Sequence, residues 1–213
     1  MARRSDHSRD EIREMAIAAA EQIVAAEGYG GLSARKVAGA IGYTVGTLYL
    51  VFRNLDDLVL QVNARTLDRL HARMVEVRDR TPDPAASLLS LGEAYIGFAA
   101  EDPHRWGMVF EHRGDGGAKL PDWYRQKATR TFALVEELLS PLAPERNARE
   151  IAQAARAMWG GVHGICILAV TGKLDVAGVD SVQDLSDTLI RHFLAGFVNG
   201  ALPGSARNHP PDR

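Results

Sequence analysis

A chain of 213 residues, 46% hydrophobic and 24% charged, is long enough to bury a substantial core as one large domain or two smaller ones. Its single cysteine, Cys166, excludes an internal disulfide and a thiolate metal site, and no apolar run reaches the roughly 18 residues of a membrane span. The net charge of −2 gives no global sign of a nucleic-acid partner, and the opening MARRSDHSRDE lacks the apolar stretch of a signal peptide, so a cytoplasmic protein without a membrane partner is expected.

Helical spacing dominates from the start. Ile12, Met15, Ala16, Ala19 and Ile23 mark one face of a first helix that ends at Gly28, Gly30 and Gly31. Ser33 is placed to cap a short second helix carrying Val37 and Ile41, stopped by Gly42. The stretch GYTVGTLYLVF (42–52) then reads two ways. Val45, Thr47, Tyr49 and Val51 are β-formers at every second position, yet a lone strand between helices has no partner. A long helix follows from about Leu55 to Arg80, closed by Pro82 and Pro84. Residues 85–101 form another, Asp102-Pro103 opens one through about His112, and GDGG (114–117) is a flexible loop. Pro121 opens a helix ending near Pro141 and Pro144, and a long, mostly apolar helix covers about Glu145–Thr171. Ser181 caps the last helix, through about Asn199, with Asp184 at its third position. The expected fold class is all-α, with about nine helices and no internal repeat. Residues 203–213 have too little apolar content to pack and are expected to be a disordered tail.

Residues 34–53 resolve the ambiguous stretch when taken as two short helices meeting at nearly a right angle. Such a pair needs a small residue at the crossing, a glycine at the turn and an apolar residue facing back, supplied by Ala38, Gly42 and Leu48. Val37, Ile41, Val45 and Phe52 complete the apolar side, and Thr44 is placed to cap the second helix. Thr44, Thr47 and Tyr49 then face out, with Arg53 beyond, as groups that meet phosphates, base edges and thymine methyls. Charge is compatible with this and with ordinary charge variation alike: residues 28–53 hold Arg35, Lys36 and Arg53 and no acid, whereas the chain from Asn54 on holds 18 basic and 21 acidic residues. A plain helical hairpin with a half-buried Tyr49 fits the same spacing.

GYTVGTLYLVFRNLDDLV, preceded by LSARKVAGAIG and a first helix ending in glycines, resembles the DNA-binding signature of the TetR family of transcriptional repressors over roughly residues 9–62. Leu50 departs from the aromatic or polar residue often found there in the family. The resemblance implies a helix-turn-helix domain over 1–54 and a helical effector-binding and dimerisation domain over 55–202. It implies that Thr44, Val45, Gly46, Thr47 and Tyr49 present the recognition surface, and that Arg35 and Lys36 contact the DNA backbone. Arg53 and the arm residues Arg3, Arg4 and Arg9 are weaker contacts. The implied function is a ligand-responsive repressor that binds a palindromic double-stranded operator as a dimer and is released by a small molecule.

In the second half, YIGFAAEDPHRWGMVFEH (95–112) and WGGVHG (159–164) resemble a TetR subgroup with a Trp-His-Gly motif. Tyr95, Phe98, Trp106, Phe110, Met158, Trp159 and His163 are residue types that line an apolar cavity with a few orienting groups, although ordinary core is the simpler reading of most of them and a satisfied core histidine that of His163. A small apolar or amphipathic effector is expected there. Gly161 and Gly164 beside His163 permit close helix packing. The last two helices carry long apolar faces, Ile151, Ala155, Met158, Val162, Ile165, Cys166 and Ala169, then Leu185, Leu189, Phe193, Phe197 and Val198. Homodimerisation through them is expected by resemblance, and burial within one chain fits the same pattern. No phosphate loop, nucleophile elbow or HExxH is present, the seven histidines are scattered, and catalysis, a metal and a cofactor are not expected. The rival class is a helical small-molecule-binding or adaptor protein without operator binding.

Overall fold

The computed structural model of the chain describes residues 7–112, 119–174, 176, 178 and 181–200. Arg3, Arg4, the 114–117 loop and the 203–213 tail lie outside the described residues. Among the described residues there are nine α-helices and no strand: α1 (Arg9–Glu27), α2 (Ala34–Ala40), α3 (Val45–Leu48), α4 (Leu55–Arg80), α5 (Pro84–Glu101), α6 (Pro103–Glu111), α7 (Asp122–Leu139), α8 (Ala148–Val170) and α9 (Val182–Val198). The all-α expectation holds, and the alternating 45–51 stretch is helix and turn.

Local chemistry sets the boundaries. At α1, Ser8 and Glu11 close a reciprocal capping box, with Glu11 N donating to Ser8 Oγ at 3.2 Å and Ser8 N to Glu11 Oε2 at 2.6 Å. Asn54 Oδ1 accepts from Asp57 N at 2.9 Å, and Asp57 Oδ2 accepts from Arg53 N at 3.0 Å, so the start of α4 is tied to the chain before it. The helix expected from Glu145 begins at Ala148, because Asn147 Oδ1 caps Arg149 and Glu150 N–H at 3.0 and 3.1 Å. Ser181 caps α9 through Asp184 N at 3.1 Å, as its sequence position suggests.

The chain divides into two compact units, Met1–Arg73 with Gly97–Thr131, and Met74–Ile96 with Phe132–Arg213. In the first, α1 buries Ala16, Ile17 and Ala20 against Val37, Leu48 and Phe52, with Leu58, Val59 and Val62 of α4 and Met108 of α6 in the same core. The buried stripe of α1 is rotated from the expected one. Ile17, Ala20 and Val24 are buried, while Met15 and Ile23 are only half-buried. Helix α6 packs on α1: His104 Nδ1 lies 3.0 Å from the Ala25 carbonyl, and His112 Nδ1 lies 3.0 Å from Tyr29 Oη.

In the second unit, α8 packs along α9 so closely that a Cβ on Gly161 would stand 2.5 Å from Leu189 Cδ2. Gly164 has nothing within 4 Å of its Cβ position, so close packing is the role of Gly161 alone. Arg146 Nη2 donates to the Phe197 carbonyl at 2.9 Å and lies over the Phe197 ring at 4.6 Å, satisfying the end of α9. The apolar stripe expected to face a partner, Ile151, Ala155, Met158, Val162, Ile165 and Cys166, is buried by the chain itself. Left exposed on α8 are Ala157, Gly160, Gly164, Ile167, Leu168 and Val170, together with Gln153 and Arg156 and the residues of its first turn, Ala148 and Arg149.

The turn after α2 fixes where α3 begins. Gly42 has φ +74°, Tyr43 N donates to Ala38 O at 2.9 Å and Gly42 N to Gly39 O at 3.2 Å, which together form a Schellman turn. A side chain at that φ costs about 1–2 kcal/mol. Gly42→Ala is therefore expected to lower unfolding free energy by about that amount in chemical denaturation, with helical content in the folded state unchanged.

Candidate nucleic-acid interface

Helix α3 has only four residues, and its cap is well made. Thr44 lies in the extended region, its Oγ1 accepts from Thr47 N at 3.2 Å, and the two threonine hydroxyls are 3.0 Å apart. The hydroxyls expected to face a ligand are thus already engaged with the helix start and with each other. Beyond Leu48 the chain keeps turning. Tyr49 N reaches Val45 O at 3.1 Å, Leu50 N reaches Thr47 O at 3.1 Å, and Phe52 N reaches Leu48 O at 3.0 Å. Leu48, Val51 and Phe52 are buried, Val45 and Thr47 half-buried, and Gly46, Tyr49, Leu50 and Arg53 exposed. Val51, read in the sequence as part of an alternating strand pattern, is a core residue. Leu50 was absent from the expected surface set, yet at 64% exposed it shows more of itself than Tyr49 at 46%.

Arg13 of α1 holds the far end of this element. Its guanidinium donates to the Val51 carbonyl and lies 4.8 Å over the Phe52 ring. A carbonyl at the end of a short helix has no partner within it, and the arginine supplies one. The sequence shows no signal for this contact, because the two residues are 38 positions apart. On the other side, His7 Nδ1 lies 2.8 Å from Tyr43 Oη, so the segment before α1 is tied to the turn that precedes α3.

The cations around α2 and α3 differ in availability. Arg35 is exposed with no ion-pair partner among the described residues, whereas Lys36 pairs with Glu27. Arg53 Nε lies 3.6 Å from Asp57 Oδ2, with the arginine side chain 77% exposed. The Lys36–Glu27 pair, exposed on both sides, is worth about 0–1 kcal/mol and yields easily to a phosphate, whereas Asp57 beside Arg53 is buried. Gly46 is open: the nearest atom to its Cβ position is Thr44 Oγ1 at 3.6 Å, so another molecule's backbone can approach there.

The residues expected to line a cavity fall in both units. Phe98, Trp106 and Phe110 belong to the first, where Trp106 is core and packs on Phe110 with ring centroids 5.1 Å apart. Tyr95, Met158, Trp159 and His163 belong to the second. There Trp159 stacks on His163 at 4.9 Å, and His163 Nδ1 is 2.9 Å from Tyr95 Oη. Burial holds the His163 pKa below its ordinary value, which favours the neutral ring. Met158 is buried core. Burial pushes the Cys166 thiol up to about 12, leaving it a small apolar residue without thiolate character.

Leu48 is the side chain that anchors α3. Leu48→Ala is expected to cost about 2–5 kcal/mol of stability, read as a lower denaturation midpoint with loss of cooperative unfolding in the α1–α3 region by hydrogen exchange.

Residues 16–62 match the family model described as bacterial regulatory proteins, tetR family, and residues 88–193 match the tetracyclin repressor-like C-terminal domain. Among solved structures, a protein of unknown function from Rhodococcus sp. RHA1 is 19% identical with a TM-score of 0.73, covering 91% of this chain and 97% of that one. A TetR-family transcriptional regulator from Streptomyces coelicolor is 19% identical with a TM-score of 0.61, covering 86% and 98%. A fatty acid degradation regulator from Bacillus halodurans is 22% identical with a TM-score of 0.60, covering 87% and 95%. Comparison with curated proteins gives no match.

Proposed function

The chain belongs to the TetR family of bacterial transcriptional regulators, and from that premise we propose that it is a ligand-responsive repressor, binding a palindromic operator as a homodimer and released by a small molecule. The observation that carries the DNA-binding part is the exposed side of α2 and α3. Gly46 is open, Tyr49 and Arg53 project, Arg35 has no ion-pair partner among the described residues, and no carboxylate occurs between residues 28 and 53. Such a face admits the phosphate backbone without like-charge repulsion. In this reading Thr44, Val45, Gly46, Thr47 and Tyr49 enter the major groove, while Arg35, Lys36 and Arg53 meet phosphates.

Dimerisation is assigned to the exposed side of α8 and α9. The support is the set of small residues Ala157, Gly160 and Gly164, continued by half-exposed Ile167 and Leu168, with Val198 of α9 also exposed. Small residues let helices of two copies approach closely, and a twofold pair matches two half-sites about 34 Å apart. The effector is assigned to the second unit's Tyr95–Trp159–His163 cluster, which offers aromatic surface and a neutral imidazole to a small apolar or amphipathic molecule. Helix α4 contributes residues to both compact units and is the proposed lever. An effector changes operator affinity only by its differential affinity for the two conformations.

The founding experiment selects duplexes from a random library with the full chain, then footprints the enriched site. A protected palindrome of two half-sites supports the reading. No preference for any duplex sinks it and favours the adaptor alternative. Two variants sharpen the assignment. Tyr49→Phe is expected to weaken operator binding severalfold with an unchanged Tm; unchanged affinity across a salt titration removes Tyr49 from the contacts. Gly164→Glu fills open space in the single chain and raises helix propensity, so folding is retained. Sedimentation should then show monomers in place of dimers, and a persistent dimer moves the interface elsewhere.

A further inference from the structure

The face that α3 offers to DNA is short of free hydrogen-bonding groups. Thr44 Oγ1 already accepts from Thr47 N and lies 3.0 Å from Thr47 Oγ1, and Val45 and Gly46 have no polar side-chain atom. The residue that dominates this face by exposed apolar surface is Leu50, 64% exposed. Its position is not that of a stray surface leucine. Leu48, Val51 and Phe52 define the inward side, and Gly46, Leu50 and Arg53, spaced four and three residues apart, define the opposite side. The bond from Leu50 N to Thr47 O at 3.1 Å gives the last turn 3-10 character, which rotates Leu50 toward Thr47. Leu50 therefore stands one turn beyond open Gly46, on the side where a close partner arrives.

The apolar group that a base pair presents in the major groove is the thymine C5-methyl. A protein partner is disfavoured here, because Leu50 and the neighbouring Tyr49 are the only large apolar side chains exposed on this element among the described residues, far less than an apolar docking patch. We propose that Leu50 is a specificity-determining residue that reads a thymine methyl in each half-site, so that sequence choice at α3 rests on apolar contact more than on hydrogen bonds. This rests on the operator-binding reading above and deepens it.

The test uses the full chain and the duplex enriched by selection, remade with each thymine in turn replaced by uracil, which removes only the methyl group. At one position per half-site the substitution should weaken wild-type binding about fourfold, the worth of one methyl-sized apolar contact. Leu50→Ala, at an exposed position where folding is retained, should lose the response at that position alone. Its ratio of operator to random-duplex affinity should fall about tenfold or less, while the slope of affinity against salt stays unchanged, because phosphate contacts are untouched. Leu50→Met, which keeps apolar reach, should retain the uracil response. The proposal is overturned if wild type ignores every thymine-to-uracil change, if Leu50→Ala responds as wild type does, or if the enriched half-site contains no thymine. Those results leave the repressor reading intact when a specific palindrome is still protected, whereas failure to enrich any duplex removes both.

Discussion

A four-residue helix has no stability of its own, since one hydrogen-bonded turn does not offset the cost of ordering it. Whatever α3 does, it does because other elements hold it. Leu48 and Phe52 sink into the core shared by α1, α2 and α4, Arg13 satisfies the Val51 carbonyl from outside the helix, and the Gly42 turn fixes its entry. Because every buried side chain of α3 is committed to this packing, only one side remains for a partner. The division of labour within about nine residues follows from that constraint.

The same unit secures α4 by charge as well as by apolar burial. Arg65 pairs with Glu14 and, at 3.7 Å, with Glu21, and Arg69 meets Glu21 at 3.0 Å, which joins α4 to α1. Asp68 takes Lys127 of α7 at 2.7 Å and also pairs with Arg130, and Arg73 meets Glu101 of α5 at 2.6 Å. Glu21, only 13% exposed in its side chain, is the member least accessible to screening salt, so the α1 contact should persist at ionic strengths that loosen the others. Through these pairs α4 is tied to α1, the helix on which α3 rests.

Legibility in the sequence differed by kind of feature. Caps were readable because they are local: Ser33, Thr44, Asp102 and Ser181 each cap a backbone N–H within three residues, as their positions suggest. Gly42 was readable as a turn for the same reason. Long helices were readable to within a few residues, the exception being the start of α8, where Asn147 and Glu150 form a box that outweighed the earlier Glu145. The candidate site was readable only in part. Thr44 and Thr47 carry the right chemistry for DNA, but whether their hydroxyls are spent on a cap depends on side-chain geometry. Leu50 was legible only as a departure from the family pattern, because its exposure depends on the turn that follows Leu48. In the second half, a stripe of apolar residues on α8 looks alike whether it meets its own chain or a second copy.

The helical class, the order of the elements and the family signature at the turn between α2 and α3 were all legible in the residues themselves. These depend on period, capping and the φ of glycine, all set within a few residues. Which side of α3 and of α8 is left outward, that Arg13 closes the end of the turn after α3, and that α6 packs on α1 emerged only from the packed fold. Those outcomes join residues tens of positions apart, and burial between distant segments is a property of the assembled core, invisible in any short window of sequence.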